Sequence, residues 1–270
     1  MKANTITGRN YQIGEAEKLT SLAEKYGVKL ETRNLDTYSD AGLEGWWGDN
    51  GCHKPLQEMN PVRGGFAIDV LKRFEIYPSQ RIIEIGCGGG IFSEYIARHG
   101  YNVLGVDISE GAINVAKEHA NITNVKVDYQ VASVYQLPFE DESFDVVMSS
   151  DFFEHLEDLV TAISEMSRIL KKGGLFIFDT ISRNESCVTT FMKLEAEGII
   201  PAGTHEPLLF VQPQELESLA NNCGIDFAKD VNNPYGFLLQ SIIFIDGKFQ
   251  LGKVEEKETL PHYIGYGIKR

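Results

Sequence analysis

One short segment, Glu84-Ile85-Gly86-Cys87-Gly88-Gly89-Gly90, constrains this chain more than any other. It joins a β-branched run at residues 81–85 to an amphipathic stretch at 91–99. Glycines in such a turn let backbone approach a ligand that any Cβ would push away. A strand, a glycine turn and a helix in that order open an α/β sheet whose ligands sit beyond the carboxyl ends of its strands. The following residues repeat the pattern. Runs 102–106, 125–131, 144–149 and 175–179 read as strands, with helices from the Ser109 cap to 120 and at 159–170 between them. Strands alternating with helices imply parallel pairing and a sheet covered on both faces.

The flanks are less regular. Residues 14–26 carry apolar positions on one helix face, ended by Gly27. Residues 34–63 are rich in Gly, Asn, Asp and Pro and read as irregular with short helical turns, followed by a helix at 61–74 that has Pro61 in its first turn. After Asp179 come an amphipathic helix at 186–198, a loop at 201–212, a helix at 213–223 and a strand at 225–231. Residues 236–245 read as extended, Asp246-Gly247 as a hairpin turn, and 262–268, alternating at period two, as the last strand. A late hairpin places an antiparallel strand at the sheet's edge. The expected organisation is a helical cap over residues 1–75 and an α/β domain over 76–270, with a lid inserted at about 184–212.

Two cofactor classes compete for the glycine turn. A dinucleotide fingerprint wants G-x-G-x-x-G. Counted from Gly86 its third glycine falls on Ile91, and counted from Gly88 on Ser93. Glu84 would also repel a pyrophosphate, whereas it suits an amino group. Asp107 closes the second strand, roughly 20 residues past Gly86, where a carboxylate accepts ribose hydroxyls. Glu84, the glycines and Asp107 together read as an S-adenosylmethionine site.

Charge and cysteines narrow the class further. With 25 basic against 39 acidic residues the net charge is −14, the wrong sign for a nucleic-acid partner or for simple attachment to anionic lipid. No run approaches the roughly 20 apolar residues of a membrane span, residues 1–10 lack a secretion-signal core, and the four cysteines form no C-x-x-C pair. A cytoplasmic setting and a small-molecule acceptor are expected.

With these residues the chain resembles the class I methyltransferases and, within them, the ubiquinone-biosynthesis O-methyltransferase family. Trp46-Trp47, Lys54-Pro55-Leu56 and Asn60-Pro61-Val62-Arg63 resemble that family's leading segment. Asp151-Phe152-Phe153-Glu154-His155 resembles its E-x-x-E-H stretch, Thr204-His205 its inserted T-H pair, and Tyr263 with Tyr266 its closing strand. The similarity spans about residues 40 to 270, so some 35 residues precede it. It implies a Rossmann-like methyltransferase fold and O-methylation of a small phenolic, quinol or enol acceptor. N- or C-methylation, or a non-catalytic S-adenosylmethionine-binding module, are the alternatives. It also implies cofactor contacts at Arg63 (for the carboxylate), Glu84, Gly86, Cys87, Gly88, Gly90, Asp107, Ile108, Ser133, Val134 and Ser150. Leu137-Pro138-Phe139 is typical of the wider superfamily, where an aspartate stands at the position of Ser133.

For the chemistry, Asp151, Glu154 and His155 are spaced i, i+3, i+4 and converge if they begin a helix. They then hold a divalent metal such as Mg that acidifies a phenol, or supply a general base, or simply complement a helix dipole. His205 is a second candidate base. Trp46 and Trp47 either cover the acceptor or pack under the leading segment, and helix 186–198 is either a plain packing helix, as its apolar spacing suits, or a lid or membrane-facing surface.

Overall fold

A computed structural model describes residues 6–27, 36–230, 232, 237–254 and 262–270. The expected strand at 225–231 and the extended run at 236–245 lie partly outside these. Five strands, β1 (Ile82–Ile85), β2 (Val103–Asp107), β3 (Asp128–Val131), β4 (Phe144–Ser150) and β5 (Leu170–Ile181), run parallel in the order 3-2-1-4-5. The order reverses between β1 and β4, and a crevice opens at such a point, above the carboxyl ends. The antiparallel edge is larger than one strand. β9 (His262–Lys269) lies against β5, and its far side pairs first with β7 (Leu239–Ile245) and then with β6 (Ile225–Phe227). β8 (Lys248–Lys253) closes a hairpin with β7 around Asp246-Gly247.

Period-two alternation divides the strand residues between two buried faces. Ile82, Val146 and Ile177 pack with α4 (Lys54–Arg73) and α5 (Ile91–Arg98). Ile83, Ile85 and Val147 pack with α7 (Leu159–Ile169) and α9 (Pro213–Asn222). α6 (Glu110–Thr123) is capped by Ser109, whose Oγ accepts from Ala112 N (3.1 Å), and covers β2 and β3.

Two expectations change. The helix expected from Pro61 starts earlier, because α4 begins at Lys54 and runs through Pro61. Pro55 sits in its first turn, where a missing N–H costs nothing. Pro61 removes an interior hydrogen bond, yet the helix continues because Met59, Phe66, Ala67, Ile68 and Leu71 bury against the sheet. A boundary at residue 75 therefore falls after a helix that belongs to the sheet's own layers. Two short helices precede it, α2 (Asp36–Asp40) and α3 (Gly42–Trp47).

The inserted helix α8 (Glu185–Ala196) also finds its partner within the chain. Its Val188 and Met192 are fully buried against Leu19 and Ala23 of α1 (Glu15–Lys25). Arg183 pairs with Glu15 and Glu215, and buried Arg9 donates to the carbonyls of Phe153 and Leu209. The segment before the family-like region thus straps the insertion to the sheet edge. Among the described residues no helix is long and apolar enough to cross a membrane.

Candidate active site

The glycine turn folds back on β2, since Gly86 and Cys87 donate their N–H groups to Val106 O (2.8 and 3.0 Å). Gly88 and Gly90 hold φ of 49° and 86°, in the left-handed region that L side chains avoid. Asp107 grips the turn from below. Its Oδ2 accepts from Gly88 N (2.9 Å) and its Oδ1 from Ser109 N (2.8 Å), which leaves each oxygen a lone pair for a ribose hydroxyl. Burial pushes the Asp107 carboxyl up, and those backbone N–H groups pull it partly back. Exposed Ile108 follows on β2, and half-buried Ser133 with buried Val134 follow β3. Glu84 is 2% exposed and its carboxylate accepts from Ser93 of α5. Burial lifts it to about 8. It braces the turn from within the sheet, and its oxygen is engaged by Ser93 where the sequence suggested a cofactor amine. Cys87 is buried and its thiol is pushed well up by burial, so only its backbone faces ligand chemistry.

The two tryptophans have different tasks. Trp46 lies over the turn: a Cβ on Gly88 would stand 2.4 Å from its Cη2, and one on Gly89 2.4 Å from its Cδ2. Trp47 donates to Gly89 O (2.9 Å) and stacks flat on His119, with ring centres 3.5 Å apart. It anchors α3 to the glycine turn and to α6. From Trp46 an aromatic row runs to the insertion. His53 stacks on Trp46 (3.9 Å), Tyr38 lies beside His53 (5.4 Å), and Tyr38 Oη meets His155 Nε2 (3.2 Å). His155 and His205 have ring centres 5.7 Å apart, and Phe191 stands 4.8 Å beyond.

Beneath this row lies a buried ion cluster. Arg63, 2% exposed, pairs with Asp151 and reaches the Leu56 carbonyl (3.3 Å). His262 Nε2 stands 2.8 Å from Asp179 Oδ1 and 3.3 Å from Asp151 Oδ1. Burial pulls His262 down, but Asp151, Asp179 and Glu154 outweigh it and raise it to about 9. Asp179 is held low: burial opposes the charge, and His262 and Arg63 more than offset it. A histidine raised above its unfolded value of 6.5 stabilises the fold in full below about pH 6.5, and that contribution fades as pH rises through about 9. Thermal melts from pH 6 to pH 10 should therefore show an alkaline loss of Tm that His262→Gln flattens. An unchanged slope would show that His262 carries no such linkage.

The backbone geometry does not support the metal expectation at Asp151, Glu154 and His155. Asp151 adopts φ 47° and residues Phe153–His155 form a single tight 3₁₀ turn, so the i, i+3, i+4 convergence of an α-helix does not arise. Asp151 turns to Arg63 and His262, Glu154 to Thr180 (2.7 Å), and His155 to Tyr38. Burial lifts Glu154 to about 8, with Asp151 adding to it, and the residue is fully buried below the crevice. Among the described residues the trio that brings three ligand atoms together is Asp151, Asp179 and His262, within 4.8 Å. There the Arg63 guanidinium and a protonated His262 already supply the positive charge a cation would bring. Ser150 is buried at the end of β4, beside this cluster. Asp179 and His262 escaped the sequence reading. The period-two pattern of the last strand contained His262, but nothing local placed it beside β5.

Comparison with known proteins agrees with this geometry. A methyltransferase-domain family profile matches residues 83–178. A ubiquinone biosynthesis O-methyltransferase of Hahella chejuensis (strain KCTC 2396) is 35% identical over 223 residues, 81% of this chain and 89% of that protein. One from Pelagibacter ubique (strain HTCC1062) is 36% identical over 210 residues, 74% of this chain and 86% of that one. In fold, the chain is similar to magnesium protoporphyrin IX methyltransferase of Synechocystis PCC 6803 (TM-score 0.61, 16% identity, 87% of this chain and 97% of that one). A methyltransferase of Thermotoga maritima gives 0.58 at 19% identity, over 84% and 99%. A glycine turn gripped by Asp107, a 3-2-1-4-5 sheet and relatives of this identity over most of the chain lead to one conclusion: the protein is an S-adenosylmethionine-dependent methyltransferase and belongs to the ubiquinone biosynthesis O-methyltransferase family.

Proposed function

We propose that this enzyme methylates a hydroxyl of a phenol or quinol. The observation that carries the reading is the row from Trp46 to His205, in which two imidazoles stand 5.7 Å apart. Aromatic walls suit a planar ring, and an imidazole suits a hydroxyl proton. The residues present also fit the cofactor: Asp107 faces the ribose, the turn of Gly86, Cys87, Gly88 and Gly90 accepts its close approach, and Ile108, Ser133 and Val134 frame the adenine. Ser150 and Arg63 stand toward the methionine end. When bound, S-adenosylmethionine supplies a methyl group already activated on sulfonium.

The chain's own residues then have three tasks. The turn and Asp107 fix the position of the methyl. Trp46, Tyr38 and the strapped insertion exclude water from the hydroxyl. A histidine takes the hydroxyl proton, so that negative charge builds on the attacking oxygen. Arg63 holds Asp151 here, and the cofactor carboxylate would compete for the same fork.

The test is methyl transfer from labelled S-adenosylmethionine to a panel of catechols, hydroquinols, amines and enols. Product on phenolic oxygen supports the reading, whereas product on nitrogen or carbon alone overturns it. In parallel, Asp107→Ala should weaken cofactor binding by about 1–3 kcal/mol through its lost charged hydrogen bonds. Calorimetry checks this, and an unchanged Kd would remove Asp107 from the site.

A further inference from the structure

The insertion contains a carboxylate–imidazole pair that neither the family-like motif nor the sheet predicts. Glu195, in the last turn of α8, is 3% exposed, and all its hydrogen bonds run to the loop that follows. Its Oε2 accepts from Gly203 N (2.7 Å), and its Oε1 accepts from His205 N (2.8 Å) and lies 2.9 Å from His205 Nδ1. A carboxylate can only accept, so this contact puts the ring proton on Nδ1 and leaves the lone pair on Nε2. His205 Nε2 makes no hydrogen bond to any described residue. The imidazole is closed in on other sides by Phe191, Phe210 and His155. His155 differs, because its Nε2 already meets Tyr38 Oη.

We propose that Glu195 is a positioning residue that fixes His205 in the Nδ1–H tautomer and aims Nε2 at the acceptor hydroxyl, making His205 rather than His155 the general base. The inference rests on the O-methylation reading above and names the residues that carry its proton step. In that step the acceptor O–H bond breaks and its proton goes to His205 Nε2. The acceptor oxygen forms the new bond to the methyl carbon as the sulfur–methyl bond breaks, and that electron pair stays on sulfur as a neutral thioether. The imidazolium, stabilised by Glu195, then returns its proton to water. Fixing the tautomer beforehand spares the ring a reorientation in the transition state.

The test is a double-mutant cycle on the full chain with S-adenosylmethionine and a catechol. Glu195→Gln should lower kcat by about tenfold to a hundredfold while KM for both substrates stays within about twofold. His205→Ala should lower kcat at least as far, and Glu195→Gln added to it should cost little more, because the two act as one unit. Losses that multiply, an effect of Glu195→Gln on KM alone, or a His205→Ala enzyme with native kcat would each overturn the proposal. Long-range proton–nitrogen spectra of the native protein, assigned with His205→Gln, give a readout that needs neither turnover nor a folded Glu195 variant. Protonated Nδ1 and bare Nε2 are expected on His205, and the opposite tautomer would refute the pairing. A native enzyme that methylates no hydroxyl defeats the O-methylation reading and with it the base assignment, while an unaffected kcat in the variants of an active enzyme defeats this proposal alone.

Discussion

Arg63→Met should destabilise the fold by about 3–5 kcal/mol, the range for removing one partner of a buried ion pair. Its Asp151 carboxylate is 13% exposed, and Asp179 lies buried nearby, so the variant leaves two carboxylates with only His262 to balance them. The helix also loses the contact from Arg63 to the Leu56 carbonyl. On a chain of this size the loss corresponds to a fall in Tm on the order of 10 °C. Arg63→Lys keeps a charge without the planar fork and should fall between the two. Differential scanning calorimetry decides the matter: a methionine variant that melts with the native protein would mean that the cluster contributes nothing to the fold. Cofactor titration of the lysine variant then separates stability from binding.

Gly88→Val should weaken S-adenosylmethionine binding by a hundredfold or more, about 2.7 kcal/mol. Two independent obstacles combine at this position. With φ at 49° a β-branched residue is strained by about 1–3 kcal/mol, and its Cβ would stand 2.4 Å from Trp46 Cη2. Either the turn shifts and releases the bond from Gly88 N to Asp107, or Trp46 leaves the turn and opens the aromatic row at its first member. Gly65→Ala in α4 is the control, since a Cβ there meets no atom within 4 Å and φ is not positive. It should bind cofactor normally and melt slightly higher, because alanine suits a helix interior better than glycine. Equal affinities in the two variants would refute the account of the turn.

Much of the cofactor half was legible in the chain because its chemistry is local. The turn at residues 84–90 and Asp107 follow consecutive strands, and parallel neighbours joined by one helix bring their carboxyl ends together at a fixed spacing. The alternation of Ile82 and Ile83 onto opposite faces follows from the pleat alone. Local reasoning failed where neighbours compete. The spacing of Asp151, Glu154 and His155 suits an α-helix, but left-handed Asp151 and a 3₁₀ turn send the three side chains to different partners. The early start of α4 was hidden by Pro61, whose local cost is outweighed by burial of the helix on the sheet.

The amino-acid order by itself therefore determined the class of fold, the cofactor-binding turn and the acid that grips it, because each depends on residues within one strand–turn–helix unit. The tertiary structure alone decided which distant polar groups meet. β9 enters antiparallel beside β5 and sets His262 against Asp179 across 83 positions of chain, and the inserted helix folds back to hold His205 through Glu195. Strand pairing and helix docking at that range are driven by burial of apolar surface, which carries no address for an individual polar side chain until the packed structure exists.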